Sequence, residues 1–293
     1  MKKQIGYIGL GKMGSAMVAR LEKRGWRVAT YDVNGQGTAE SIKQLVAGLK
    51  KPRVIWMMVP AGDPVDRVLF RDNGLVVLLE KGDIVLDGGN SFYENSMRRS
   101  EKLQRIGVAF MDIGVSGGPG TVQEGKPALM VGGDKKVFEK LKPLFGDLTR
   151  RESFGYMGES GAGHFVKMVH NGIEYGVMQS LAEGFALLKQ SSFGLDVQEV
   201  VRVYNHGSVI ESRLTGWLEQ GLKKYGQELK EVSGSVAHTG EGAWTVKSAR
   251  KLQVFTPVIK AALDFRVQSG KKPSYAGKIL MMLRNQFGGH SIK

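Results

Sequence analysis

The chain has no cysteine, which excludes disulfide staples, thiolate metal sites and a cysteine nucleophile, and fits a reducing compartment. It also lacks any apolar run approaching the roughly 20 residues that a membrane-spanning helix needs. The apolar stretch near the N-terminus, Ile5 to Leu10, is too short and too rich in glycine for a signal-peptide core, so a soluble, cytoplasmic protein is expected. Internal repeats and low-complexity segments are missing as well. Acidic residues are few beside basic ones, 28 against 42, for a formal charge of +14 over 293 residues. That field favours an anionic partner. The basic pairs (Lys50-Lys51, Arg98-Arg99, Lys135-Lys136, Arg150-Arg151, Lys223-Lys224 and Lys271-Lys272) are scattered and carry no interleaved aromatics. No nucleic-acid or membrane partner is therefore expected, and a phosphorylated metabolite with its cofactor is the simpler explanation.

What is present starts at the N-terminus. A short apolar strand over residues 4–10 runs into Gly9-Leu10-Gly11-Lys12-Met13-Gly14, an amphipathic helix follows to about Arg24, and a second strand over 27–31 ends on Asp32. This is a strand–helix–strand unit with the dinucleotide fingerprint in its required context. Gly9 permits the tight turn, Gly11 lets the backbone approach a pyrophosphate, and Gly14 lets helix and strand pack closely, while the helix N-terminus faces the phosphates. Asp32 is placed to accept hydrogen bonds from a ribose 2′-hydroxyl and would repel a 2′-phosphate, and Tyr31, Val33 and Asn34 supply no offsetting arginine. NAD is expected over NADP.

Further strands are predicted at 53–59, 83–86, 109–113 and 128–131, alternating with helical segments at 64–70 and 91–106. The alternation predicts an α/β domain with a doubly wound, mostly parallel sheet. Polar and glycine-rich loops fall at the strand ends: Val59-Pro60-Ala61-Gly62, Asp87-Gly88-Gly89-Asn90-Ser91 and Ser116-Gly117-Gly118-Pro119-Gly120. Ligands of such sheets sit outside the carboxyl ends of the strands, where these loops belong.

After about residue 160 the strand pattern stops and helices are predicted over 163–190, 196–204, 209–223, about 242–268 and 273–286. Two domains are expected: a dinucleotide-binding domain over 1–160 and an all-helical substrate-binding and oligomerisation domain over 161–293. The first helix of the second part reads GAGHFVKMVHNGIEYG from residue 161, and Lys167, His170, Asn171 and Glu174 stand at relative positions 0, 3, 4 and 7. On a helix that spacing aligns an amine, an imidazole, an amide and a carboxylate within roughly 10 Å of rise. The interleaved Val166, Met168, Val169, Ile173 and Val177 suit a buried helix, and lysine and glutamate are seldom buried without a paired or functional duty. A structural Lys–Glu pair is the competing explanation.

The fingerprint, the DGGNS loop at 87–91, the VSGG stretch at 115–118 and the helix from 161 together resemble the decarboxylating 6-phosphogluconate dehydrogenases, in a short form. The resemblance runs over nearly the whole chain, and the Glu-Tyr pair at 174–175 separates it from other β-hydroxyacid dehydrogenases. It implies oxidative decarboxylation of 6-phosphogluconate to ribulose 5-phosphate and CO₂, within pentose phosphate metabolism and with no metal required. It further implies that Lys167 is the general base toward the substrate 3-hydroxyl and that Glu174 protonates C1 of the enediol. Such a base must lose the proton that lysine ordinarily keeps up to about pH 10.4, and such an acid must hold one near neutrality. Asn90, Ser116, Gly117, Gly118, His170 and Asn171 match the family's contacts to the carboxylate and hydroxyls. Tyr175, Arg266, Arg284 and His290 match those that gather the 6-phosphate. Because the family's tail reaches a partner's site, the resemblance implies a homo-oligomer, dimer or tetramer, with composite sites.

Two departures stand out. Ala243, in the stretch from Thr239 to Thr245, replaces a residue that is commonly basic, with Lys247 or Lys251 as candidate substitutes. Asp32 replaces the Asn-Arg-Thr type sequence of the NADP-specific majority, in line with NAD. The alternative reading is a 3-hydroxyisobutyrate-type dehydrogenase acting on an unphosphorylated acid; from a different class, a catalytically silent nucleotide-binding regulator.

Overall fold

The computed structural model describes residues 3–236 and 240–293. Packing divides the chain between Met168 and Val169 into two compact units. In chain order the first unit holds β1 (Gln4–Ile8), α1 (Lys12–Lys23), β2 (Arg27–Tyr31), α2 (Ile42–Ala47), β3 (Val54–Met57), α3 (Asp63–Phe70), α4 (Leu75–Leu78) and β4 (Ile84–Asp87). These are followed by α5 (Tyr93–Gln104), β5 (Ala109–Ser116), α6 (Pro119–Gln123), β6 (Ala128–Gly132), α7 (Lys135–Leu148) and β7 (Phe154–Gly158). The strands form one seven-stranded sheet in the order β2-β1-β3-β4-β5-β6-β7, parallel except where β6 runs antiparallel to β5. This is the expected α/β architecture. Strand order reverses beside β1, which puts the switch-point crevice at the carboxyl ends of β1 and β3.

The alternation of side chains across the strands builds two cores, one per face. Tyr7, Trp56, Leu86, Met111 and Ile113 turn to the face covered by α1 and α7, where they meet Met17, Leu21, Leu141 and Phe145. Ile8, Ile55, Met57, Val85 and Phe110 turn to the other face, against Leu45, Leu69, Leu75 and Leu103. Every residue of β3 and β4 is buried, as a parallel strand covered on both faces requires. Neither α7 nor β7 stands out in the sequence, because Pro143 interrupts the helical pattern of the first and glycine supplies two of the five residues of the second.

The second unit follows from the long helix α8 (Ala162–Gln190), whose first two turns belong to the sheet unit. It contains α9 (Val197–Tyr204), α10 (Arg213–Tyr225), α11 (Glu241–Lys251), α12 (Pro257–Ser269) and α13 (Tyr275–Gly288). Its core gathers Met178, Ala182 and Phe185 of α8 with Leu218 and Leu222 of α10 and Ile279, Met282 and Leu283 of α13. The single helix expected over about 242–268 is instead two. Gln253 takes φ +57°, and Pro257, which has no N–H to donate, starts α12. The expectation that Ile173 and Val177 are buried also fails: they are 56% and 42% exposed. No helix among the described residues is long and apolar enough to cross a membrane.

The loops of the sheet unit are tied by one buried cation. Arg99 on α5 is fully buried and donates to Asp66 Oδ1 at 2.9 Å, Ser91 Oγ at 3.0 Å and the Gly62 carbonyl at 2.9 Å, and its guanidinium lies 3.5 Å from the buried Asp87 carboxylate. It thereby joins the loop after β3 to the loop after β4. Arg99→Ala would leave Asp87 buried without its countercharge, so urea unfolding is expected to show a loss of about 3–5 kcal/mol. A loss below about 1 kcal/mol would show that the cation does not bear this weight.

Candidate functional site

The turn between β1 and α1 has the geometry of a dinucleotide cradle. Gly9 sits at φ +97°, and a Cβ on Gly14 would stand 2.0 Å from the Gly9 carbonyl oxygen, so the turn closes only with glycine at both positions. A Cβ on Gly11 would meet nothing within 4 Å. Gly11 is the N-cap of α1 and makes no side-chain capping bond, so the opening of the helix is bare backbone beside open space, with Lys12 exposed and Met13 half-buried. A pyrophosphate fits that arrangement.

Asp32 lies directly after β2. Its carboxylate accepts from Leu10 N at 2.7 Å and Asn34 N at 2.9 Å, which ties the end of β2 to the glycine turn. These backbone bonds, first that from Leu10, hold the carboxyl below the usual carboxylate range. Val59 and Ala61, half-buried, and Pro60, exposed, form the neighbouring loop after β3. The glycine turn, Asp32 and this loop follow the carboxyl ends of β1, β2 and β3.

The loop after β4 is built on Asn90, in the left-handed region at φ +52°. Its side-chain amide pairs with the backbone of Val115, donating to the carbonyl at 3.4 Å and accepting from the N–H at 3.0 Å. The asparagine thus fixes its own loop against the end of β5, where the half-buried Ser116, Gly117 and Gly118 lead into α6.

On α8, Lys167 is 7% exposed and packs against β5, where a Cβ on Gly114 would stand 2.3 Å from the Lys167 Cβ. One turn on, His170 Nδ1 meets Asn171 Oδ1 at 2.9 Å and lies 3.9 Å from Glu174 Oε2. Glu174 is half-buried, with its side chain 24% exposed. His170, Asn171 and Glu174 thus lie within reach of one another on this helix, while Ile173 and Val177 beside them are open rather than covered.

Next to Glu174 the helical unit concentrates positive charge. The Arg266 guanidinium lies 3.4 Å from the centroid of the Tyr175 ring, and Arg266 and Arg284 are only 3% and 6% exposed. Burial pulls Arg266 down to about 10; Arg284 adds to this, while Tyr175 and Glu174 oppose it, and the group stays cationic at neutral pH. Burial lowers Arg284 in the same direction. Soft contacts surround both, to Met178 Sδ at 3.8 Å and Met281 Sδ at 3.7 Å. The buried Arg266 Nε has no hydrogen-bond partner among the described residues. Two buried guanidiniums held this way are suited to an anion.

Arg266 thus packs on Tyr175 of its own chain, and Arg284 is near enough to act on Arg266 electrostatically. His290 is half-buried, and its carbonyl accepts from Asn285 Nδ2 at 2.7 Å; Ser233 N donates to the Ile292 carbonyl at 2.8 Å, so the tail is tied to its own unit. Near Ala243, the structure adds Gly242, whose Cβ would stand 2.4 Å from the Tyr175 ring, so α11 begins against that ring. Lys247 and Lys251 further along are exposed, and Thr239 lies outside the described residues. The sequence offered no signal for Gly242 beyond its place in the stretch from Thr239 to Thr245.

Residues 4–158 match the model of the NAD binding domain of 6-phosphogluconate dehydrogenase, and residues 163–278 match the 6-phosphogluconate dehydrogenase C-terminal domain. A putative 6-phosphogluconate dehydrogenase of Bacillus subtilis is 42% identical, covering 99% of both chains. The NAD(+)-dependent decarboxylating 6-phosphogluconate dehydrogenase of Haloferax volcanii is 38% identical over 99% of this chain and 98% of that one. Among solved structures, a Plasmodium falciparum 6-phosphogluconate dehydrogenase, studied with NADP+ and with 6-phosphogluconate, superposes with a TM-score of 0.73. It is 25% identical, with 96% of this chain and 70% of that chain covered. Matched by both domain models in succession and by full-length relatives well above 30% identity, the chain belongs to the 6-phosphogluconate dehydrogenase family.

Proposed function

We propose that this protein oxidises and decarboxylates 6-phosphogluconate to ribulose 5-phosphate and CO₂, preferring NAD as the hydride acceptor. The observation that carries the reading is the pair of buried arginines beside Tyr175, immediately after the half-buried Glu174 on the helix that also bears the buried Lys167. An unphosphorylated acid would leave those two cations without an anion. Residues 1–160 serve as the dinucleotide-binding part in this reading and 161–293 as the substrate and oligomerisation part.

The nicotinamide supplies the hydride acceptor. Lys167 takes the proton of the substrate 3-hydroxyl as C3 is oxidised, and the ammonium so formed hydrogen-bonds the C3 oxygen while the 3-keto acid loses CO₂. Glu174 then delivers a proton to C1 of the enediolate that this leaves, which gives ribulose 5-phosphate. Asn90, Ser116, Gly117, Gly118, His170 and Asn171 orient the carboxylate and hydroxyls, and Tyr175, Arg266, Arg284 and His290 hold the phosphate. Support for a homo-oligomer comes from large apolar side chains open to solvent on the helical unit, among them Ile173, Val177, Leu187, Phe193 and Phe255. In such an assembly the tail bearing Arg284 and His290 would complete a neighbour's site.

Purified protein assayed with 6-phosphogluconate tests the reading. Lys167→Ala should lower kcat by about 10² to 10⁴, Glu174→Gln should spare hydride transfer more than tritium exchange at C1 of ribulose 5-phosphate, and Arg284→Leu should raise KM by about 10- to 100-fold. Full activity of Lys167→Ala, or an unchanged KM in Arg284→Leu, would refute the corresponding role.

Cofactor choice has its own test. The ratio of kcat/KM for NAD over NADP should exceed about tenfold and should shrink in Asp32→Ala. Because backbone bonds hold the Asp32 carboxyl below its ordinary value, it is ionised at and above pH 5 and gains a proton only as pH falls beneath the usual carboxylate range near 3.9. NAD affinity should accordingly stay flat from pH 8 to 5. An NADP preference in the wild type would overturn the assignment.

A further inference from the structure

We infer that Asp112 is the positioning residue that sets the catalytic geometry of Lys167, resting on the reading of Lys167 as the base. Asp112 lies in the middle of β5 and is fully buried. Its carboxylate accepts from Gly161 N at 2.7 Å through Oδ1 and from His164 N at 2.8 Å through Oδ2. The first N–H groups of a helix have no partner within it, and a carboxylate there both satisfies them and complements the positive end of the helix. Helix α8 starts from Gly161, which has no side chain to serve as a cap, so the capping carboxylate comes from a strand some 50 residues earlier in the chain, at a separation of 49.

Steric contacts leave this start no freedom to slide. A Cβ on Gly163 would stand 2.4 Å from the Asp112 carbonyl oxygen and 2.5 Å from that of Met130, so the first turn rests on the backbones of β5 and β6. Asp112 and Gly114, two residues apart on one strand, face the same side of the sheet. The first holds the helix N-terminus; the second passes within contact of the Lys167 side chain. A third tie, from Ser96 Oγ to His164 Nδ1 at 2.7 Å, fixes the rotation of the helix against α5. The position of the lysine is thus measured from Asp112 along about two turns of helix.

Asp112→Asn keeps the volume but offers one acceptor oxygen to two backbone donors, and turns an amide N–H₂ toward the other. A misplacement near 1 Å at a reacting group costs about 10²-fold, so kcat with 6-phosphogluconate and NAD should fall by about 10- to 100-fold. The deuterium isotope effect on kcat/KM with C3-deuterated substrate should rise, and the Kd for NAD should stay within about twofold, because the glycine turn lies elsewhere in the sheet. Thr149→Val removes a buried hydroxyl bond to the Pro127 carbonyl in the same unit and serves as the control for stability alone. Equal losses of kcat in the two variants at matched loss of Tm would reduce Asp112 to a structural part and overturn the inference. Should Asp112→Asn fail to fold, Gly114→Ala decides: it keeps the cap, presses on Lys167 from the strand side, and must give the same split between kcat and NAD affinity, an unaltered kcat overturning the proposal. Full turnover in Lys167→Ala would instead defeat the reading of the base. An inactive Lys167→Ala beside an Asp112→Asn with wild-type kcat and isotope effect would defeat the positioning role only.

Discussion

Where the first turn of α8 begins decides where Lys167 stands. A buried lysine takes its position from the backbone that carries it. Here that backbone is pinned at its start by the Asp112 carboxylate and laid directly on β5 and β6 by Gly163. The first turns of the helix carry that pinned reference to Lys167, at the fixed rise of helical residues. The buried aspartate is therefore as much a part of the chemistry as the side chains further along the same helix.

The sheet unit manages its polar loops by the same economy. Each loop at a strand end is held by a side chain that satisfies backbone or charge on its neighbour: Asp32 on Leu10, Asn90 on Val115, Arg99 on Asp66, Ser91 and the Gly62 carbonyl. Few of these groups are left to find water, and buried polar groups that are satisfied rigidify what they join. The glycine turn after β1 and the loops beside it become a preformed surface as a result. A preformed surface loses little entropy when a ligand arrives.

The helical unit solves a different problem, holding two buried cations beside a tyrosine ring, with the Glu174 carboxylate favouring their charged form. Arg266 and Arg284 are stabilised by a π-face and by thioether sulfurs, soft partners that do not neutralise them. Burial disfavours both cations, and the mutual repulsion that bears on Arg266 adds to the cost. A bound dianion removes that penalty.

Much of this was legible in the sequence because it is written in local patterns. The Gly9–Gly14 fingerprint, the alternation of buried strands with helices, and the spacing of Lys167, His170, Asn171 and Glu174 each follow from backbone periodicity and need no knowledge of distant contacts. The split of the expected 242–268 helix was recorded locally too, in Pro257, but β7 and α7 were masked by glycine and by Pro143. What the tertiary structure alone decided are the pairings across long separations: which carboxylate caps α8, which cation ties the loops, that Asn90 spends its amide on Val115, that Arg284 reaches its own chain's Arg266, and that Ile173 and Val177 face solvent. Periodicity gives the direction of a side chain relative to its own helix or strand. Only packing determines what lies in that direction.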